Sequence, residues 1–181
     1  MADYLATNTP RLKVLQSGPR GTHHMLFRAI PASDVAAVVT EVRSIVTLMN
    51  GLCLDGTSWA SAEWAAEGSE VFLPVSWGAA ITAASGAAAS AVDEYGRYVR
   101  FEGKSTTGAR VSWALFNVLN TTGTANNRLT GAENAAVNNI VAGLNGSTSI
   151  LCAIDQNPFF MKTYGNTGIN DAVAKRSRIF A

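Results

Sequence analysis

Charge is scarce in this 181-residue chain: 14 Lys and Arg and 13 Asp and Glu make up 15% of it, where an ordinary soluble domain carries about a quarter. The net charge of +1 gives no overall field that would argue for a nucleic-acid partner. Histidine is confined to His23 and His24. As neighbours on a strand they point to opposite faces and cannot jointly serve one metal or one general base. Cys53 and Cys152 are the only cysteines, too few for a zinc site without a histidine cluster. Both stand in apolar contexts, GLCLD and ILCAI, and read as free buried thiols, with a single disulfide between them as the alternative. No apolar run has the length of a membrane span, because Ala79–Val92 is broken by Ser85, Gly86 and Ser90, and no membrane contact is expected. The start of the chain, MADYLATNTPRLK, has no apolar core of a secretory signal. No glycine pattern follows a strand and opens a helix beside a lysine, so nucleotide chemistry is not indicated and no cofactor is implied.

What is present is periodicity. Tyr95–Leu119, YGRYVRFEGKSTTGARVSWALFNVL, alternates in side-chain character on either side of a turn at Lys104–Gly108. A period of two with β-branched and aromatic residues predicts two antiparallel strands. Val99, Phe101, Val111, Trp113 and Leu115 share the core face, and Tyr98, Arg100, Glu102, Arg110 and Ser112 the other. Arg11–Gln16 and His23–Ile30 predict a first hairpin around Ser17–Gly21. Val35, Val38, Val39, Val42, Ile45, Val46 and Met49 recur at helical spacing, so a helix is expected over about 33–49, capped by Ser33-Asp34 and stopped at Asn50-Gly51. Trp59–Ala66 and Glu70–Trp77 predict a second hairpin with Val71, Leu73, Val75 and Trp77 on one face; Pro74 makes its strand an edge or bends it. The alanine-rich 78–93 reads as a weak helix or a tightly packed loop. A capping box, Thr130 to Glu133, opens a second helix over about 130–144, and Thr148–Ile154 with Phe159–Thr163 predicts a last hairpin.

The expected fold class is therefore α+β, antiparallel hairpins with two amphipathic helices. It forms one domain over 1–181, with a polar arm at 1–10 and a tail at 165–181. The order hairpin, helix, hairpin occurs twice at a spacing of about ninety residues, which fits a duplicated ββαββ unit over 11–77 and 97–164.

Catalytic patterns are sparse. Glu63, Glu67 and Glu70, and Asp93 with Glu94, are the carboxylates a hydrolase would need to hold across a cleft, but acids beside a turn are ordinarily solvated. Trp59, Trp64, Trp77 and Trp113 would suit a carbohydrate-binding module if exposed, although large aromatics in strands belong to cores more often. Arg97, Tyr98, Arg100 and Arg110, with the tail cations Lys175, Arg176 and Arg178, are the candidate contacts for another subunit or for nucleic acid, since cations interleaved with aromatics suit single strands and subunit interfaces alike. The segment RYVRFEGKSTTGARVSWALFNV, followed by the capped alanine-rich helix and by KTYGNTGIN, resembles small structural proteins of bacteriophages and related viruses over the C-terminal half. The resemblance implies a capsid, coat, decoration or tail subunit without catalytic residues, located in the virion. Its partners would be copies of itself and other virion proteins, with weak contact to packaged nucleic acid.

Overall fold

Alternation along Arg11–Gln16 produces the first strand, β1 (Arg11–Gly18), which pairs antiparallel with β2 (Gly21–Arg28). The computed structural model describes residues 9–19, 21–83, 98–104, 110–118, 131–150 and 160–164. Leu12, Val14, Met25 and Phe27 line the inner face of this hairpin and are buried. The valine-rich periodic segment forms α1 (Val35–Asn50), with Val38, Val39, Val42, Ile45, Val46 and Met49 buried. It starts two residues later than the spacing suggests, because Asp34 is the cap: its carboxylate accepts the Ala36 N–H at 3.1 Å.

Chain reversal after α1 leads into β3 (Ser58–Ala65), which pairs antiparallel with the free side of β1. Along the far side of β3 run two short strands, β4 (Leu73–Val75) at Ala62–Trp64 and β5 (Ile81–Thr82) at Ser58–Trp59. The expected second hairpin is thus shorter than its alternation, and Val71 and Leu73 are not on a buried face: each is 63% exposed. Pro74 does lie on the edge strand, where a missing N–H costs least. Of the alanine-rich stretch, Ile81 and Thr82 are strand, and 84–93 lie outside the described residues.

The central hairpin is β6 (Tyr98–Lys104) and β7 (Arg110–Leu115). Its register sets Val99 opposite Leu115 and Phe101 opposite Trp113, as the alternation requires, and Val99, Phe101 and Leu115 are fully buried. Then come α2 (Gly131–Asn145) and β8 (Phe160–Tyr164). β8 pairs antiparallel with β6, and Ile150 bridges Ala29; the other residues of the expected last hairpin, 151–159, lie outside the described residues. Thr130, residues 1–8 of the arm expected at 1–10 and the tail at 165–181 lie outside the described residues, and Thr9 and Pro10 are buried.

The fold is α+β, with one sheet ordered β2-β1-β3-β4 plus β5, and another ordered β7-β6-β8. Both units repeat the same plan: a hairpin, a helix, then a strand returning to the free side of the hairpin's first strand. Their contacts are reciprocal. Ala29, just past β2, bridges Ile150, just past α2; Cys53, just past α1, bridges Val118, just past β7. The helices pack on each other and β2 lies against β7, the exchange of like contacts that a two-fold interface shows. One hydrophobic cluster runs through both units, from Leu12, Phe27 and Trp59 to Phe101, Ile140 and Leu144.

A polar clamp closes the helix side. Glu41 on α1 accepts the backbone N–H groups of Thr148 and Ser149, just past α2, at 2.6 and 2.8 Å. Burial alone would raise its pKa, but these two N–H bonds outweigh it and hold the carboxyl below the ordinary value. A lowered native pKa stabilises the fold above the ordinary glutamate range and loses that stabilisation as pH falls through the native value. Glu41→Gln is therefore expected to cost about 1–2 kcal/mol at neutral pH for this part-exposed clamp, and much less in acid. Urea midpoints of the two proteins at neutral and acid pH measure it; an equal gap at both would refute the ionic clamp.

Candidate functional site

Three places collect polar or ionisable side chains. The first is the seam between the units. Gln16, fully buried on β1, donates from Nε2 to the Phe116 carbonyl at 2.8 Å and to Cys53 Sγ at 3.7 Å. Thr57 and Asn117 are buried beside it, and Asn117 holds a left-handed backbone (φ 56°). A Cβ on Gly18 would come within 2.7 Å of Asn117 Nδ2 and 3.0 Å of Thr57 Oγ1, so glycine is what lets the seam close. Among the described residues the Asn117 amide, Thr57 Oγ1 and Gln16 Oε1 have no hydrogen-bond partner. Burial pushes the Cys53 thiol up to about 12, against the smaller opposing effect of the Gln16 donor. A thiol protonated at neutral pH is neither nucleophile nor metal ligand. Cys53 is free, as its apolar context suggests, and Cys152 lies outside the described residues. His23 stacks on Phe116 at 4.1 Å and 13°; burial, and secondarily the charge of His24, lower its pKa.

The second place is the outer face of the first sheet. Lys13 forms an ion pair with Glu63 and lies 4.7 Å from the centre of the Phe72 ring, which Arg11 also covers at 5.3 Å while donating to the Ser69 carbonyl. A shallow depression of about 90 Å³ lies between Lys13, Leu15, His24, Ser61, Ala62 and Glu63. Small-molecule sites run to about 300–1,000 Å³, so it would admit no sugar ring or nucleotide. The hydrolase pattern does not assemble here: Glu63 is held by Lys13, while Glu67 and Glu70 stand exposed around the turn. Nor do Trp59, Trp64 and Trp77 form a platform; the side chain of Trp113 lies outside the described residues. Trp59 and Trp77 are core residues, joined by an indole N–H to carbonyl bond of 3.1 Å, and Trp64 is half-buried.

The third place carries the sequence candidates. Tyr98 and Arg100 lie on β6 and Arg110 opens β7; Arg97, Lys175, Arg176 and Arg178 are outside the described residues. The register places Arg110 opposite Lys104, Arg100 between Ala114 and Lys162, and Tyr98 opposite Tyr164. Lys162 and Tyr164 were not among the candidates. The only local signal they offered was the alternation of Phe160, Lys162 and Tyr164 with Met161 and Thr163, which gives a strand but not its partner.

No family model, curated protein or solved structure matches this chain. Among the described residues no three His, Cys, Asp or Glu side chains gather where a metal could sit, and no helix is long and apolar enough to cross a membrane.

Proposed function

We propose that this chain is a non-enzymatic structural subunit of a virus particle, a capsid, decoration or tail protein that assembles through contacts with copies of itself and with other virion proteins. The observation that supports this reading is the free edge of the first sheet, where Val71 and Leu73 are each 63% exposed beside Pro74. A chain with so little surface charge gains by covering two neighbouring branched side chains. Pro74 brings no N–H to a further strand, so the contact is one of side-chain packing and not of strand addition. A second copy is the occupant, because the chain already joins its two halves by reciprocal contacts of the kind a symmetric pair of subunits uses.

Light scattering and sedimentation of the purified protein test this. The parent chain is expected to self-associate with rising concentration, and Val71→Lys with Leu73→Lys to remain monomeric with an unchanged far-ultraviolet circular dichroism spectrum. A parent protein that is monomeric at every concentration, or a double variant that assembles like it, would refute the proposal.

A further inference from the structure

Like charges directly opposite each other on neighbouring strands destabilise a sheet, since their Cβ atoms are about 4.5–5.5 Å apart. The second sheet contains two such cationic pairs, Arg100 with Lys162 across β6 and β8, and Lys104 with Arg110 across β6 and β7. Next to the first of them along the same strands stands Tyr98 opposite Tyr164. Val99, Phe101 and Leu115, which alternate with these positions, are fully buried. All six positions therefore fall on the face turned away from the core, where Ala114, the β7 neighbour of Arg100, is part exposed. Glu102 is the one acidic position of β6, β7 or β8 on that face, against four cations.

The first sheet resolves the same conflict internally. Arg11, opposite Arg28, is only 7% exposed, lies over Phe72 and donates to the Ser69 carbonyl, and Lys13 has Glu63 directly across from it. In the second sheet no carboxylate stands opposite a cation. Facing cations, four on a face with Glu102 as its one acidic position, next to a pair of tyrosines, match a polyanion that also offers flat unstacked rings. We propose that the outer face of β6, β7 and β8 binds single-stranded nucleic acid, with Arg100, Lys162, Lys104 and Arg110 at phosphates and Tyr98 and Tyr164 under bases. A duplex keeps its base faces stacked and would use only the cations. The surface is distinct from the Val71 and Leu73 edge, so variants separate its failure from a failure of assembly.

Fluorescence anisotropy of the full chain with labelled single strands of about 20 nucleotides, as RNA and as DNA, and with the matching duplex, is the test. Either single strand is expected to bind more tightly than the duplex, with a log–log salt slope of about −3 for four phosphate contacts. Arg100→Gln with Lys162→Gln should weaken binding about tenfold or more and flatten the slope by about 1.4. Tyr98→Ser with Tyr164→Ser should cost about tenfold at an unchanged slope. Glu102→Gln should tighten binding, a gain that a damaged fold could not produce. The proposal is overturned if neither single strand binds at low salt, if the duplex binds as well as the single strands, if the Arg100 and Lys162 substitutions have no effect, or if polyglutamate binds where the oligonucleotides do not.

Discussion

Trp59→Ala is expected to unfold both units in one step at a much lower urea concentration than the parent protein. Trp59 is fully buried on β3, where the register sets it opposite Gln16 on one side and Ile81 on the other, and its carbonyl accepts the Trp77 indole N–H. Truncation leaves a cavity that these neighbours, fixed by strand pairing, can only partly fill, at a cost of about 3–5 kcal/mol. Domains have in all about 5–15 kcal/mol, so the loss would take a large share of it. A single transition is expected because the hydrophobic cluster passes without a break from Trp59 through α1 and α2 to Phe101. Circular dichroism and tryptophan fluorescence, followed together in urea, check it. Two separated transitions would show that the units fold independently, and a loss under about 1 kcal/mol would place Trp59 outside the core that holds them.

The second large effect is expected at the seam. Gln16→Ala removes a fully buried side chain and leaves the Phe116 carbonyl without its amide donor, and Cys53 Sγ without its weaker one. The lost hydrogen bond and the cavity add up to about 2–4 kcal/mol. Cys53→Ala alone should cost less, because a sulfur at 3.7 Å is a weak acceptor. The double variant should fall short of the sum by about 0.5–1 kcal/mol, the coupling expected of residues in contact. Strict additivity in urea titrations would mean that Gln16 stabilises the seam without Cys53.

Local order was legible in the sequence wherever a short period decides it. The valines of α1 recur every three or four residues, and the alternation of Val99 and Phe101 with Arg100 and Glu102 was enough to assign β6 and its inner face. A cap just before Val35 and an edge or bend at Pro74 also followed from residue chemistry alone; the structure puts the cap at Asp34 and Pro74 on the edge. The second hairpin misled because Val71 and Leu73 continue the alternation beyond the point where β4 has a partner to bury them. Periodicity reports that a segment suits a two-sided strand, and exposure depends on what lies across from it.

The candidate site divides in the same way. Tyr98, Arg100 and Arg110 could be picked out because they sit within one hairpin, whose two strands are only five residues apart in sequence. Lys162 and Tyr164 could not, because their place beside Arg100 and Tyr98 results from β8 crossing back to β6 after a helix. Gln16 meeting Phe116, and Glu41 meeting Thr148 and Ser149, likewise join points about a hundred residues apart. By itself the chain determined its two helices, its first and central hairpins and the dry side of their strands, since these depend on neighbours a few residues away. Which strand lies beside which, where like charges gather and how the two units share one core were decided only in three dimensions, because burial selects partners by shape and leaves no local mark of the choice.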